Sequence, residues 1–216
     1  MTTVYLIRHA EAFGNINEVF QGRTDLEVTD RGYKQLDQLA ERFREVRLDA
    51  IYSSPLKRTI ATATAVNRFH NLEIIKLDGI IEINGGVFEG RPWPELPVRF
   101  PEAFDLWKNH HHEFTVEGGE SMKEVYDRMK ETLTDIASLN DGKTVAVVSH
   151  GCAIRNFICY ADNIPFEELD SIDWCENTGV CKIEFKDLIP KVIYKNEFRH
   201  LNDETATLKK QRWWKK

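Results

Sequence analysis

The sequence lacks most of the features that would place it outside the ordinary globular enzymes. Its four cysteines, Cys152, Cys159, Cys175 and Cys181, form no CxxC pair. That excludes the common zinc-ribbon and redox-dithiol spacings, and the thiols read as reduced, mostly buried groups of an intracellular protein. No window holds the roughly 18 consecutive apolar residues of a membrane span. The opening MTTVYLIRH has no cationic segment leading into an apolar one, so no secretory signal is expected and the expected compartment is the cytoplasm. Net positive charge is also missing. At −6, the formal charge argues against a general nucleic-acid binder. A small anionic substrate stays compatible with that balance if positive charge is concentrated in one cleft. There is no internal repeat and no low-complexity stretch, and nothing fixes an oligomeric state.

What is present is ordinary globular material: 216 residues, 42% of them apolar and 30% charged, enough to bury a core without metals or disulfides. Val4 to Ile7 and Asp49 to Ser54 read as short strands, and the β-branched run TVAVVS (Thr144 to Ser149) as a central strand covered on both faces. Between them lie helical patterns. After Thr29, the residues Tyr33, Leu36, Leu39, Ala40, Phe43 and Val46 recur at helical spacing. Ser54-Pro55 has the form of an N-cap followed by proline, opening a helix to about Arg68. Ser121 and Glu124 form a capping box before Met122, Val125, Met129, Leu133 and Ile136. KIEF and KVIYKNEF read as an edge pair of strands around Asp187 to Pro190. This alternation predicts a three-layer α/β/α fold with an open, mainly parallel sheet, in one domain spanning 1–216. Proline is scarce except between Arg91 and Gly119, where Pro92, Pro94, Pro97 and Pro101 interrupt the pattern. That stretch, about 91–120, is expected to be an insertion of short helices lying over one edge and serving as a lid or cap.

Ligands of open α/β sheets bind outside the carboxyl ends of the strands. Arg8 and His9 end the first strand, Arg58 falls in the first turn of the helix after the second, and His150 ends TVAVVS. Alone, each is more readily a structural residue than a catalytic one. Together they fall on one rim of one sheet, beside helix N-termini whose N–H groups suit a phosphate. Arginine binds phosphate oxygens in bidentate fashion, and a loop glutamate such as Glu82 can complete the set as proton donor.

These residues, with their surroundings, resemble the histidine phosphatase superfamily, in its phosphoglycerate mutase-like branch. The resemblance is carried by LIRHAE, SSPLKRTIATA, IIEINGGVFEG around Glu82, VVSHGCAIR, Asn15, the QGR at Gln21 to Arg23, EVTDRGYKQL and GGES, in the family's order from Val4 to about Ile154. It implies that His9 is the nucleophile that becomes a phosphohistidine, and that Glu82 is first general acid and then base. Arg8, Arg58 and His150 would hold the phosphoryl oxygens, with Asn15, the backbone at Gln21 and Gly22, and Gly151 in the second histidine's motif assisting. A nucleophilic histidine must be neutral, so its other ring nitrogen should donate to an acceptor such as a backbone carbonyl. Two arginines and a protonated His150 would supply the positive charge that phosphoryl transfer needs, so neither a metal nor a cofactor is expected.

Departures from the family pattern bear on the activity. Ala10 stands where glycine is frequent, so the turn after His9 should avoid positive φ. Cys152 stands where mutases commonly have asparagine. Glu82 is followed by INGGVFEG and not by the Arg-His-Tyr-Gly run of the cofactor-dependent mutases. The expected protein is therefore a phosphatase hydrolysing a small cytosolic phosphate monoester. A cofactor-dependent phosphoglycerate mutase is the alternative, and a catalytically silent phosphate-ester binder the distant one. Three further features have plainer readings. The histidines of NHHHEF (Asn109 to Phe114) point in different directions, unlike a metal pair. Trp93, Trp107, Phe100 and Phe104 read as packing of the insertion in preference to a substrate cage. The basic tail LKKQRWWKK (208–216) reads as a frayed or packed terminus and not as a membrane or nucleic-acid contact.

Overall fold

The computed structural model describes residues 1–210, so most of the basic tail expected at 208–216 lies outside the described residues. Six strands form one sheet: β1 (Thr2–Arg8), β2 (Ala50–Ser53), β3 (Ile74–Lys76), β4 (Thr144–Ser149), β5 (Val180–Lys186) and β6 (Ile189–Glu197). Their order is β3-β2-β4-β1-β5-β6. The first four run parallel, whereas β5 pairs antiparallel with β1 and β6 antiparallel with β5. The hairpin between β5 and β6 turns through Asp187 and Leu188, at φ 53° and 63°. Two successive positive φ values match the right-handed twist of the strands they join. The three-residue β3 was not expected; its Ile75 and Lys76 are exposed, so no apolar run announces it.

Helices cover both faces of the sheet. On one face α2 (Asp30–Phe43) and α3 (Lys57–Val66) bury Leu39, Phe43, Ala63 and Val66 against Ile7, Ile51, Ala146 and Val148. On the other, α6 (Met122–Leu139) and α7 (Gly151–Ala161) pack Met129, Leu133, Phe157 and Ile158 against Val4, Leu6, Val145 and Val147. Fully burying one such side chain stabilises the fold by about 1.5–3 kcal/mol relative to leaving it in water. The α2 cap is as expected, with Thr29 Oγ1 accepting from Gly32 N at 3.0 Å. The capping box at Ser121 and Glu124 opens α6.

Two local readings need correction. Ser54 is not an N-cap. The helix starts at Lys57 with Leu56 in the cap position, because Ser54 is still part of the strand end and its hydroxyl faces His150 instead. Of the apolar spacing after Thr29, Tyr33 is exposed and Val46 lies past the end of α2.

A four-residue helix, α1 (Phe13–Ile16), follows the β1 end. The proline-rich stretch forms α4 (Leu96–Arg99), α5 (Pro101–Asn109) and single 3₁₀ turns at Trp93–Glu95 and His111–Glu113. Leu96, Trp107, Phe114 and Val116 join the core on the α6–α7 face, and Pro92 bridges to Val19 in the loop after α1.

Candidate active site

Strand pairing places the charged residues before any side chain is considered. β4 lies between β1 and β2, so their three carboxyl ends are neighbours. His9 N donates to Ser149 O at 3.0 Å, and Ser54 N to Val148 O at 3.0 Å, stitching those ends together. The His9 and His150 rings consequently lie 5.3 Å apart, centroid to centroid. Both are buried, as are Arg8, Arg58 and Glu82.

His9 is held as a neutral nucleophile should be. Its Nδ1 lies 2.7 Å from the Ala10 carbonyl oxygen. A carbonyl can only accept, so Nδ1 carries the proton and Nε2 keeps its lone pair. Burial, followed by the positive charges of Arg58 and Arg8, pushes the His9 pKa well below 6.5. Ala10 has no positive φ, in keeping with the turn expected there.

His150 differs from expectation in its charge. Burial, followed by Arg58 and His9, lowers its pKa well below 6.5, so it is neutral here and not the imidazolium anticipated. Its Nε2 lies 2.8 Å from Ser54 Oγ, and its buried Nδ1 has no partner among the described residues.

The two guanidinium groups are each tethered at one end. Arg8 Nη1 donates to Cys175 O at 2.5 Å. Arg58 donates through Nη1 to Thr24 O (2.9 Å) and through Nη2 to Gly22 O (2.7 Å). Both Nε–H groups are buried without a partner among the described residues. Buried donors are normally satisfied, and leaving one unpaired costs about 1–3 kcal/mol. Such orphans next to a histidine mark a place built to receive an acceptor. Burial draws the Arg58 pKa down to about 10, so it stays charged at neutral pH.

Glu82 sits where α7 begins. Its Oε1 accepts from Ile83 N (2.9 Å) and Ala153 N (3.0 Å), and its Oε2 from Cys152 N (3.0 Å). These N–H groups and Arg58 favour the carboxylate, but burial is the largest effect and raises the pKa above 4.5. The group is thus primed to hold a proton, with donors in place for the charge left when it departs.

Arg8, His9, Asn15, Gln21, Glu82 and Gly151 all line one open cleft. Asn15 Oδ1 accepts from Ala12 N at 3.0 Å. Gln21 packs over Gly14, and both atoms of its buried amide lack a partner among the described residues. A Cβ at Gly151 would come 3.3 Å from the Trp174 ring and 3.4 Å from Arg8 Nε, so the glycine permits their approach. Gly22, Arg58 and His150 are not among the residues that line it. Gly22 contributes its carbonyl to Arg58, not an N–H to the cleft.

Sequence reasoning missed three supports. Glu11 of the LIRHAE run accepts from Thr29 Oγ1 at 2.6 Å, and its N–H donates to Gln35 Oε1, so it ties the nucleophile loop to α2. Asn177 Nδ2 donates to His9 O at 3.1 Å, and Thr178 N to Arg8 O at 3.1 Å. Thr178 is a β-branched residue at φ 57°, a conformation that costs of order 1–3 kcal/mol and persists where its surroundings enforce it. Third, Trp174 joins Trp93 and Trp107 in the cleft wall. Trp93 and Trp107 therefore face the cleft as well as packing the insertion, while Phe100 and Phe104 serve the core. The histidine run is spent on structure: His111 Nδ1 pairs with Asp170, and His112 Nε2 with Glu113 at 3.2 Å.

A buried neutral histidine, two tethered arginines and a buried carboxyl group whose pKa is raised by burial, gathered at the carboxyl ends of a parallel sheet, suit phosphoryl transfer. The model of the histidine phosphatase superfamily (branch 1) matches residues 4–197, and the chain belongs to that family. Phosphoserine phosphatase 1 of Hydrogenobacter thermophilus is 35% identical over 203 residues, covering 94% of this chain and 96% of that protein. Phosphoglycerate mutase-like protein 4 of Arabidopsis thaliana is 31% identical over 156 residues, covering 71% of this chain and 68% of that protein. Among solved structures, Bacillus stearothermophilus YhfR superimposes with a TM-score of 0.89 at 29% identity, over 93% of this chain and 99% of that one. A mutant phosphoserine phosphatase from Entamoeba histolytica, in complex with phosphoserine, does so with a TM-score of 0.83 at 28% identity, over 94% and 100%. The protein is a phosphatase of small phosphate monoesters, working through a phosphohistidine.

Proposed function

We infer that His9 Nε2 attacks the phosphorus of the bound ester while Glu82 delivers its proton to the departing alcohol oxygen. The phosphorus–oxygen bond breaks as the phosphorus–nitrogen bond forms. In the second half Glu82, now a carboxylate, takes a proton from water, whose oxygen displaces His9 and releases inorganic phosphate. Arg8 and Arg58 bind the equatorial oxygens through their free N–H edges, and Asn15 and Gln21 add amide donors from the cleft wall. Neutral His150 contributes a hydrogen bond, and an arriving phosphate dianion draws its pKa upward. Gly151 supports the site by leaving room for Arg8. The partner is a small phosphate ester in the cytoplasm, a setting that suits four buried free thiols. Among the described residues, no helix is long and apolar enough to cross a membrane.

The observation that carries this reading is the 2.7 Å contact of His9 Nδ1 with the Ala10 carbonyl, which leaves Nε2 as the reactive nitrogen. The test is rapid quenching with a ³²P-labelled ester. An acid-labile, base-stable label is expected on the native chain, and none on His9→Ala, with turnover reduced at least about 10⁴-fold. Unchanged labelling of His9→Ala would refute the assignment. Hydrolysis is favoured over isomerisation by the sequence after Glu82, INGGVFEG, which offers no cation for a substrate carboxylate.

A further inference from the structure

Beyond the phosphate-binding groups, the cleft is walled by Val19, Phe20, Ile83, Trp93, Trp107 and Trp174. The aromatic members form one continuous surface. Phe20 lies 5.1 Å from Trp93 and 5.0 Å from Trp107, centroid to centroid, and Trp107 lies 6.4 Å from Trp174. This wall is braced from behind. The His111 ring meets Trp107 edge-on at 5.0 Å and Trp174 at 6.1 Å, and is itself anchored by Asp170. The Arg155 guanidinium lies 4.4 Å from the Trp174 ring centroid, and is fixed by its bonds to the carbonyls of Ile172 (2.8 Å) and Leu169 (3.0 Å). A wall held in this way loses little freedom when a ligand packs on it.

We propose that this wall is a leaving-group subsite selecting phosphate monoesters whose alcohol carries an apolar or aromatic group. It rests on the reading of His9 and Glu82 as the reacting pair. Trp93 and Trp174, both half-buried, are its specificity-determining residues.

The test compares esters of primary alcohols, so that intrinsic leaving-group ability stays close. On the full chain, kcat/KM for 2-phenylethyl phosphate should exceed that for propyl phosphate by at least about tenfold. Trp93→Leu and Trp174→Leu should shrink the phenylethyl-to-propyl ratio to below about threefold, the loss falling chiefly on the phenylethyl ester. Trp93→Phe should retain most of the ratio. In His9→Ala, where binding is separated from chemistry, 2-phenylethyl phosphate should quench tryptophan fluorescence at concentrations where propyl phosphate does not. A phenylethyl-to-propyl ratio near one on the native chain, or a ratio untouched by both leucine variants, overturns the proposal. Failure of every ester to label His9 would instead overturn the phosphatase mechanism, so the two failures are distinguishable.

Discussion

At the sheet end of the cleft, Arg8, His9, Arg58, Glu82 and His150 are all ionisable and all buried, and each is fixed by a short bond to backbone or to Ser54. A few side chains away, Phe20, Trp93, Trp107 and Trp174 present rings held by other rings, by the His111 ring and by the Arg155 guanidinium. The contrast follows from what each end must do. Developing charge on a phosphoryl group rewards donors that are already oriented, because reorienting them during reaction costs rate. Only the carboxyl ends of adjacent strands give that precision. Selecting an alcohol by its apolar surface requires area and exclusion of water, which a proline-rich insertion can provide. One end is therefore built from paired strands and the other from loops and short helices.

The largest effect that tests this division is expected at Glu82. Glu82→Gln keeps the shape and hydrogen-bonding capacity of the side chain but removes the transferable proton. For propyl phosphate, kcat should fall by roughly 10²–10⁴-fold, the usual contribution of a positioned general acid. For 4-nitrophenyl phosphate, whose leaving group needs little protonation, the loss should be much smaller. Equal losses across alkyl and aryl esters in steady-state assays would mean that another group supplies the proton, and would break the separation between the two ends.

A pH profile sharpens the same comparison with a smaller effect. The active free enzyme has neutral His9 and protonated Glu82. Burial, then Arg58 and Arg8, pulls His9 well below 6.5, while burial raises Glu82 above 4.5. As pH falls through the lowered His9 value, the nucleophile is lost; as pH rises through the raised Glu82 value, the acid is lost. The kcat/KM profile should therefore be bell-shaped, each limb falling by about tenfold per pH unit. Glu82→Gln should abolish the alkaline limb alone. Trp93→Leu should leave both limbs in place, since the wall contributes no titrating group.

How far each end was legible in the sequence also follows from this contrast. Arg8, His9, Arg58 and His150 could be placed because strand ends can be read from short apolar runs, and parallel sheets bring those ends together. The charge of His150 could not be placed, since its depressed pKa depends on burial beside Arg58 and His9. The wall was illegible for a different reason. Trp93, Trp107 and Trp174 share no spacing, and an indole that packs a core looks in sequence like one that faces a ligand. Ser54 misled because serine before proline is a common helix start, and nothing local shows that its hydroxyl is committed to His150. Asn177 and Thr207 stand about 170 and 200 positions from the nucleophile, and no motif links them to it.

That last pair yields the smallest expected effect, and it lies on the phosphate side of the comparison. Thr207 is fully buried; its hydroxyl contacts Glu176 Oε1 at 2.5 Å and Asn177 Oδ1 at 2.8 Å. Thr207 and Leu208 N–H groups also donate to the Glu176 carboxylate. Asn177 in turn donates to the His9 carbonyl, so the chain end steadies the nucleophile loop through two side chains. Removing one such hydroxyl costs about 1 kcal/mol when the partners can relax, equivalent to roughly fivefold in rate if the strain falls on the transition state. Thr207→Val should lower kcat for propyl phosphate by about that factor with KM nearly unchanged, and Thr207→Ser should restore it. The phenylethyl-to-propyl ratio should stay at its native value in both variants. A shifted ratio with an unchanged kcat would mean that the chain end acts on the aromatic wall instead, and that the two ends of the cleft are not independent.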